Sequence, residues 1–315
     1  MKLKGIEFGS VWGASGVQGF FGEGYWFHNF WRPFGLNFDG MTFVAKTTTL
    51  NARPGNMPLK EDNTPQERFP KCVVVKPWKG IALNSIGLSG PGAKSLFEQG
   101  IWQRIKYPFF ISFMSVAGSR RERIEELSKF VALFNKHLPE FNTPVGLQIN
   151  YSCPNVGLHI EELVDEVKSG LNIASCLDVI PLVPIVPKFN VVLPVEVAVD
   201  IANHSACDAI CISNTIPWGQ LPDRIDWEGL FGSKISPLAH LGGGGLSGKP
   251  LLPLVIDWIT KARRVGLRKH INAGGGILSI KDGMKVFMAG ADSISLGSIA
   301  FLRPWRVEGI IHAFK

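Results

Sequence analysis

The residues best suited to chemistry lie in one short run, Asn150-Tyr151-Ser152-Cys153-Pro154-Asn155. A lone cysteine is ordinarily buried and inert. Cys153, however, has a hydroxyl, a proline and two carboxamides around it, which does not suit a core strand. In such a loop a thiol can act as a nucleophile or as a general base, depending on its pKa. Asn150 and Asn155 can each donate and accept hydrogen bonds, which fits the edges of amides and carboxylates. Lys46 and Lys188 end otherwise apolar runs, Phe43-Val44-Ala45-Lys46 and Val186-Pro187-Lys188. There a lysine either meets an anion that offsets its desolvation or snorkels to solvent. Ser213-Asn214-Thr215 forms another small polar cluster.

Two glycine loops, Ala273-Gly274-Gly275-Gly276 and Leu296-Gly297-Ser298, follow short apolar runs near the end of the chain. Glycine lets backbone N–H groups approach an anion closely, although a tight turn is its plainer use. A third cluster, Gly242 to Gly248, follows a long loop, Ile216 to His240. It reads either as a spacer or, with that loop, as part of a lid or partner surface. Cys207 and Cys211 read as packing residues. The seven histidines show no ligand spacing, so no metal is expected.

The elements that must hold these groups alternate regularly. Strands are expected at Ser10–Ala14, Phe43–Thr49, Phe109–Ser115, Val145–Tyr151, Ile185–Phe189, Ala209–Ser213, His270–Ala273 and Ser293–Leu296. Helical patterns fill most of the later gaps: Arg121–Leu138, Ile160–Ser175, Val195–Ser205, Leu251–Val265, Ile280–Ala289 and Pro304–Ala313. Eight strands alternating with helices predict an α/β protein of the closed (β/α)8 TIM-barrel class, a single domain over residues 1–315. A β-rich N-terminal insertion, with short strands at Val73–Val75 and Lys79–Leu83, is expected near the barrel mouth. In such a barrel, chemistry belongs at the C-terminal ends of the strands, and phosphate sites commonly follow the last two.

Composition narrows the partners. Apolar residues make up 45% and charged residues 19% of the 315, which suits a large packed core and excludes a disordered polyampholyte. The net charge of +7 has its densest basic cluster at Arg120, Arg121 and Arg123, but Glu122, Glu125 and Glu126 interleave with it. It therefore reads as ordinary solvated surface, and no nucleic-acid partner is expected. Residues 1–7 begin no secretory signal, and the apolar stretch Cys176–Ala202 is broken by prolines and charges. A cytoplasmic protein without a membrane partner is expected. Five scattered cysteines suit a reducing compartment.

Taken together, these motifs resemble the dihydroorotate dehydrogenase family, from about Val11 to Phe301. The most specific match is Asn150–Asn155, similar to the family's NxSCPN loop. Supporting matches are Ala14-Ser15-Gly16, Lys46-Thr47, Arg53-Pro54-Gly55-Asn56, Asn84-Ser85-Ile86-Gly87-Leu88, Lys188, Ser213-Asn214-Thr215, Leu246-Ser247-Gly248, Ala273-Gly274-Gly275-Gly276 and Gly290-Ala291-Asp292. The resemblance implies FMN at the barrel mouth. Its phosphate would be held by Gly275, Gly276, Gly297 and Ser298, with Ala14, Ser15, Gly16, Thr47, Ser213 and Gly248 also on the cofactor. Lys188 would face the flavin edge where charge develops on reduction. Cys153 would be the general base toward dihydroorotate, as in the soluble class 1 enzymes. Lys46, Asn84, Asn150, Asn155, Asn214 and Thr215, with the backbone of Ile86, Gly87 and Leu88, would hold substrate; Lys46, Asn84 and Asn150 would also touch flavin. A homodimer is implied, with an iron–sulfur flavoprotein partner if NAD is the acceptor. One departure stands out: Gly90 occupies a position where the family usually carries Asn, which bears on the substrate. Another dihydropyrimidine or cyclic amide, or a flavin-free enzyme using Cys153 as nucleophile, is the competing reading. The aromatic-rich segment 19–31 is more elaborate than the resemblance leads one to expect and reads as packing at the cofactor edge or as an interface.

Overall fold

The computed structural model describes residues 1–151, 160–178 and 182–315; Cys153 and Asn155 lie outside them. Seven parallel strands form one curved sheet: β1 (Val11–Gly13), β2 (Phe109–Phe113), β3 (Val145–Asn150), β4 (Ile185–Phe189), β5 (Ala209–Ile212), β6 (His270–Gly274) and β7 (Ser293–Leu296). Their order is β1-β7-β6-β5-β4-β3-β2. The gap between β1 and β2 is closed by the extended segment 42–48 through isolated parallel bridges, Trp12 with Thr42, Val44 with Phe110 and Thr48 with Phe113. The expected Phe43–Thr49 strand is therefore present as a stave but not as a continuous ladder. Toward β1 it keeps only the pair Gly13 N to Thr42 O and Thr42 N to Val11 O, both 2.9 Å. Above that pair Lys46 N donates instead to Gly19 O at 2.8 Å. The loop after β1 is thus wedged into the wall.

Strand alternation sorts the side chains. Phe109, Ile111, Phe113, Leu147, Ile149, Ile185, Ile210, Ile212, Ile271 and Ile294 join the core between sheet and helices. The opposite parity faces the barrel axis. Its lower level is apolar: Trp12, Val44, Phe110, Val186 and Ala209 pack with Leu3 and Phe8 from the N-terminal segment, which plugs the floor. Gly146 takes part by having no side chain, since a Cβ there would strike the Phe110 ring. Its upper level is polar, and the register explains why these groups meet. Asn150 pairs with Lys188, Lys188 with Cys211, Cys211 with Asn272 and Asn272 with Ser293. All five are buried.

Helices cover the outside. Arg120–His137 is opened by a reciprocal Ser119–Glu122 capping box and buries Leu127, Phe130, Val131 and Phe134. Arg123 leaves the expected basic cluster to form a bidentate pair with Glu166, at 2.6 and 2.8 Å. Most other expected element ends shift by one to three residues, as fraying termini do. The last expected helix divides into a 3-10 turn at Pro304–Arg306 and the helix Val307–Phe314.

The insertion is built differently from expectation. Strands Val73–Lys76 and Ile81–Asn84 form a hairpin around the turn Pro77–Lys79, whose following residue, Gly80, has φ +67°. Lys79 therefore belongs to the turn and not to the strand. The hairpin continues into Gly245–Gly248 and Ile216–Pro217, giving a four-stranded antiparallel sheet. So part of the third glycine cluster is a strand and not a spacer. Among the described residues no helix is long and apolar enough to cross a membrane.

Candidate active site

The polar level of the barrel interior lies at the C-terminal end of the strands. Ser15, in the loop wedged beside β1, accepts a hydrogen bond from Lys188 Nζ at 3.0 Å and another from Thr47 Oγ1 at 3.1 Å. Thr47 Oγ1 also meets Ser112 Oγ at 2.9 Å. Asn214 Nδ2 donates to Asn150 Oδ1 at 2.7 Å. Below them, Asn272 accepts from Ser295 Oγ at 2.7 Å and donates to Ser293 Oγ at 2.8 Å. Cys211 Sγ lies 3.1 Å from Ser213 Oγ and 3.2 Å from Asn272 Oδ1. Cys207 and Cys211 are both buried packing residues, as expected; Cys211 packs with the apolar lower level while its Sγ also touches the polar one. Ser112, Gln148, Cys211, Asn272 and Ser295 had no motif to announce them. Inward parity on an apolar strand was their only signal.

Lys188 and Lys46 are both buried, and neither forms an ion pair among the described residues. Loss of hydration pushes the Lys188 ammonium below its ordinary range, with a partial offset from Cys211. Lys46 is lowered for the same reason to about 8, against a raising contribution from Glu23. Its Nζ donates to the Ser89 carbonyl and lies 4.6 Å above the Phe20 ring. These contacts help hold the cation, and Glu23 acts on it from a distance without forming a direct ion pair.

The loop carrying Ile86, Gly87 and Leu88 is held from below by Arg53–Met57. Asn56 N donates to Ile86 O at 2.8 Å and Asn56 Nδ2 to Ser85 O at 2.7 Å; Arg53 and Gly90 exchange backbone hydrogen bonds. Gly87 and Leu88 both have positive φ, +72° and +59°. A leucine in that region is strained, and such strain persists where surrounding contacts fix it. Asn84 sits at the end of its strand, opposite Gly245. Thr215 packs under Gly245, where a Cβ would strike its hydroxyl.

The glycine loops converge. A Cβ on Gly276 would come within 2.8 Å of Gly248 O and Leu252 N, the latter in the first turn of the helix Leu251–Arg264. One on Gly297 would come within 2.9 Å of the Ala14 Cβ. Ser298 stands at the start of the short helix Ile299–Leu302. Gly16 is less crowded: Tyr25 Oη donates to Gly16 O at 2.6 Å, and a Cβ on Gly16 would make only ordinary contact with Lys46, at 3.5 Å.

Sequence reasoning leaves the aromatic segment open between cofactor-edge packing and an interface, and part of it is site wall. Phe20 is fully buried; Trp102 Nε1 donates to its carbonyl at 2.7 Å, and its N–H reaches Glu23 Oε1 at 2.9 Å. A Cβ on Gly90 would come within 2.9 Å of Phe20 Cζ. At Gly90, where the resemblance leads one to expect Asn, the Phe20 ring thus crowds the space a side chain would enter.

A parallel barrel whose polar groups gather at the C-terminal mouth, beside a cradle of glycine backbone, defines a barrel enzyme. The dihydroorotate dehydrogenase family model matches residues 2–315. The chain belongs to that family, whose members are oxidoreductases acting on the CH–CH group of dihydroorotate. It is 29% identical over 282 residues to dihydroorotate dehydrogenase B (NAD(+)), catalytic subunit, of Caldicellulosiruptor bescii, covering 84% of this chain and 79% of that protein. It is 30% identical over 281 residues to dihydroorotate dehydrogenase A (fumarate) of Lactobacillus helveticus, covering 86% and 78%. The crystal structure of the Eimeria tenella enzyme in complex with ferulenol superposes with a TM-score of 0.65 at 17% identity, covering 98% of this chain and 82% of that one. That likeness shows the fold.

Proposed function

We propose that this chain oxidises dihydroorotate to orotate with FMN bound across the barrel mouth. The observation that carries the reading is the pairing of Lys188 with Ser15: a buried cation held by a hydroxyl and lacking an anion, beside converging glycine loops. A fixed, desolvated cation has its greatest effect where negative charge develops during reaction. The glycine loops fit a phosphate, because backbone approaches so closely at Gly276 that a Cβ has no room. Bound FMN supplies the acceptor for the hydride leaving substrate C6.

The chain's own groups do the rest. Cys153 takes the C5 proton as general base, and the paired carboxamides of Asn150 and Asn214, with Asn155 and Thr215, hold the substrate's amide edges. The turn Ile86-Gly87-Leu88 offers backbone N–H groups to the substrate carboxylate, and Lys46 supplies the opposite charge. Ala14, Gly16 and Gly248 frame the cofactor, while Asn84 borders both ligands. The four cysteines described, Cys72, Cys176, Cys207 and Cys211, are free thiols, which supports a reducing, cytoplasmic setting.

The test is anaerobic: dihydroorotate is added to purified protein and flavin absorbance is followed, then fumarate, or NAD with an iron–sulfur flavoprotein, is added. Bleaching by dihydroorotate is the expected result, slowed about 10²–10⁴-fold in Cys153→Ala. A colourless protein that FMN cannot reconstitute sinks the proposal. The Phe20–Gly90 contact favours one second reading: bleaching by another dihydropyrimidine but not by dihydroorotate moves the substrate while keeping the flavin.

A further inference from the structure

Three segments far apart in sequence meet on the outside of the barrel. The helix Trp26–Trp31 reaches residues 68–69, where Trp26 Nε1 donates to Arg68 O at 2.8 Å and the Trp26 ring packs 5.2 Å from Phe69. Its other end reaches the 303–307 segment through Trp31 and Trp305, 5.5 Å apart. Arg303 then donates to Pro77 O at 2.9 Å, joining the hairpin turn that carries Trp78. Trp26, Phe30, Phe34, Phe69, Trp78 and Trp305 are all exposed along this strip, Phe69 at 78% and Trp78 at 95%. Soluble surfaces rarely gather so many large rings, and such a patch marks an interaction site.

The charge of the same strip is one-sided. Residues 24–38, 68–79 and 303–307 contain seven Lys and Arg and no Asp or Glu, a surplus equal to the net charge of the whole chain. Glu23, Asp39, Glu67 and Glu308 stand at its borders, and within it Lys76 and Lys79 also donate to the carbonyls of Gly229, Leu230 and Phe231. The remainder of the sequence is electrically balanced, including the Arg120–Arg123 cluster with its glutamates. Sequence order hides this, because the three segments become neighbours only in the fold.

We propose that this strip docks the enzyme peripherally on an anionic lipid surface, a reading independent of the reaction assigned above. Trp and Phe side chains beside Arg and Lys suit the headgroup boundary, where rings bury and cations meet lipid phosphates. A nucleic acid is disfavoured by the packing. Arg68 covers the Trp26 ring and Arg303 the Trp305 ring, and Trp26 meets Phe69 edge-on, so these rings offer no open platform for bases. Trp78 projects from a hairpin tip without a neighbouring wall, which suits insertion into a fluid interface better than a shaped protein groove.

The full chain is co-sedimented with 100 nm phosphatidylcholine vesicles containing either no phosphatidylglycerol or about 30% of it, at low and high salt. The expected result is binding to the anionic vesicles only, weakened by salt, with a blue shift of tryptophan fluorescence. Phe69→Ser with Trp78→Ser should lower partitioning about tenfold. Arg32→Glu and Lys71→Glu should each lower it at least about fivefold. Folding of each variant is checked by circular dichroism and thermal melting. No binding to either vesicle, equal binding to both, or retention only on single-stranded RNA or an acidic protein overturns the proposal.

Discussion

Lys188 on β4 donates to Ser15 in the loop after β1, so two sides of the barrel mouth are joined by one 3.0 Å hydrogen bond to a buried cation. Desolvating that cation costs stability in the absence of an anionic partner. Lys188→Ala is therefore expected to leave apoprotein melting unchanged or slightly raised while lowering kcat about 10²–10³-fold. Differential scanning fluorimetry and steady-state kinetics check the two halves separately. A destabilised apoprotein with normal turnover would make Lys188 merely structural.

Lys46 gives the site a pH limb. Burial lowers its pKa to about 8, so the charged form is lost through that range as pH rises. KM for an anionic substrate should increase above pH 8, and Lys46→Met should raise KM at pH 7 and flatten the profile. The linkage to stability runs the other way. Between about 8 and the unfolded value near 10.5 the unfolded chain binds more protons, so the folded state gains stability as pH rises.

Gly276 combines φ +76° with backbone on both sides of any Cβ. Gly276→Ala should weaken FMN binding at least about tenfold, measured by quenching of flavin fluorescence. An alanine variant with wild-type affinity would remove this loop from the cofactor site.

Phe20 and Gly90 should be energetically coupled. Gly90→Asn alone is expected to destabilise by about 1–3 kcal/mol, because its side chain meets the Phe20 ring. The same change in a Phe20→Ala background should cost much less, and urea melts of all four proteins close the cycle. Additive effects would show that the ring does not crowd the space a side chain at Gly90 would enter.

His28 supplies an acid-side prediction. It is buried, and desolvation with the nearby Arg32 charge lowers its pKa to about 4. The unfolded imidazole titrates near 6.5, so stability from this group is full above that value and falls as pH drops toward 4. The loss should be about 3 kcal/mol at pH 4 and shrink in His28→Gln. Urea melts across pH 4–8 measure it.

Much of this was legible in the sequence because barrel strands announce themselves locally. Ile210, Cys211 and Ile212, or Ile271, Asn272 and Ala273, alternate between helix-facing and axis-facing positions, and the polar members necessarily meet inside. What stayed hidden depended on non-local pairing. Nothing near Ile81–Asn84 signals that Gly245–Gly248 will lie beside it, and Gly90 does not advertise Phe20. The helix Trp26–Trp31 was missed because large aromatic side chains occupy every turn of it, so no polar face marks its period. The basic excess looked scattered for a related reason, as its three segments adjoin only after folding.

The wedge beside β1 gives the barrel a seam. Between β1 and the segment 42–48 only the Thr42 pair is laced, and the loop bearing Ser15 and Gly16 fills the rest. Local opening follows the weakest lacing, so amide exchange should be fastest here among the barrel staves. Ser15, Lys46 and Thr47 flank that seam, and a ligand touching both banks would act as a rivet. Cofactor loading would then be readable as slowed exchange at the seam, and a ligand-free chain would open there first.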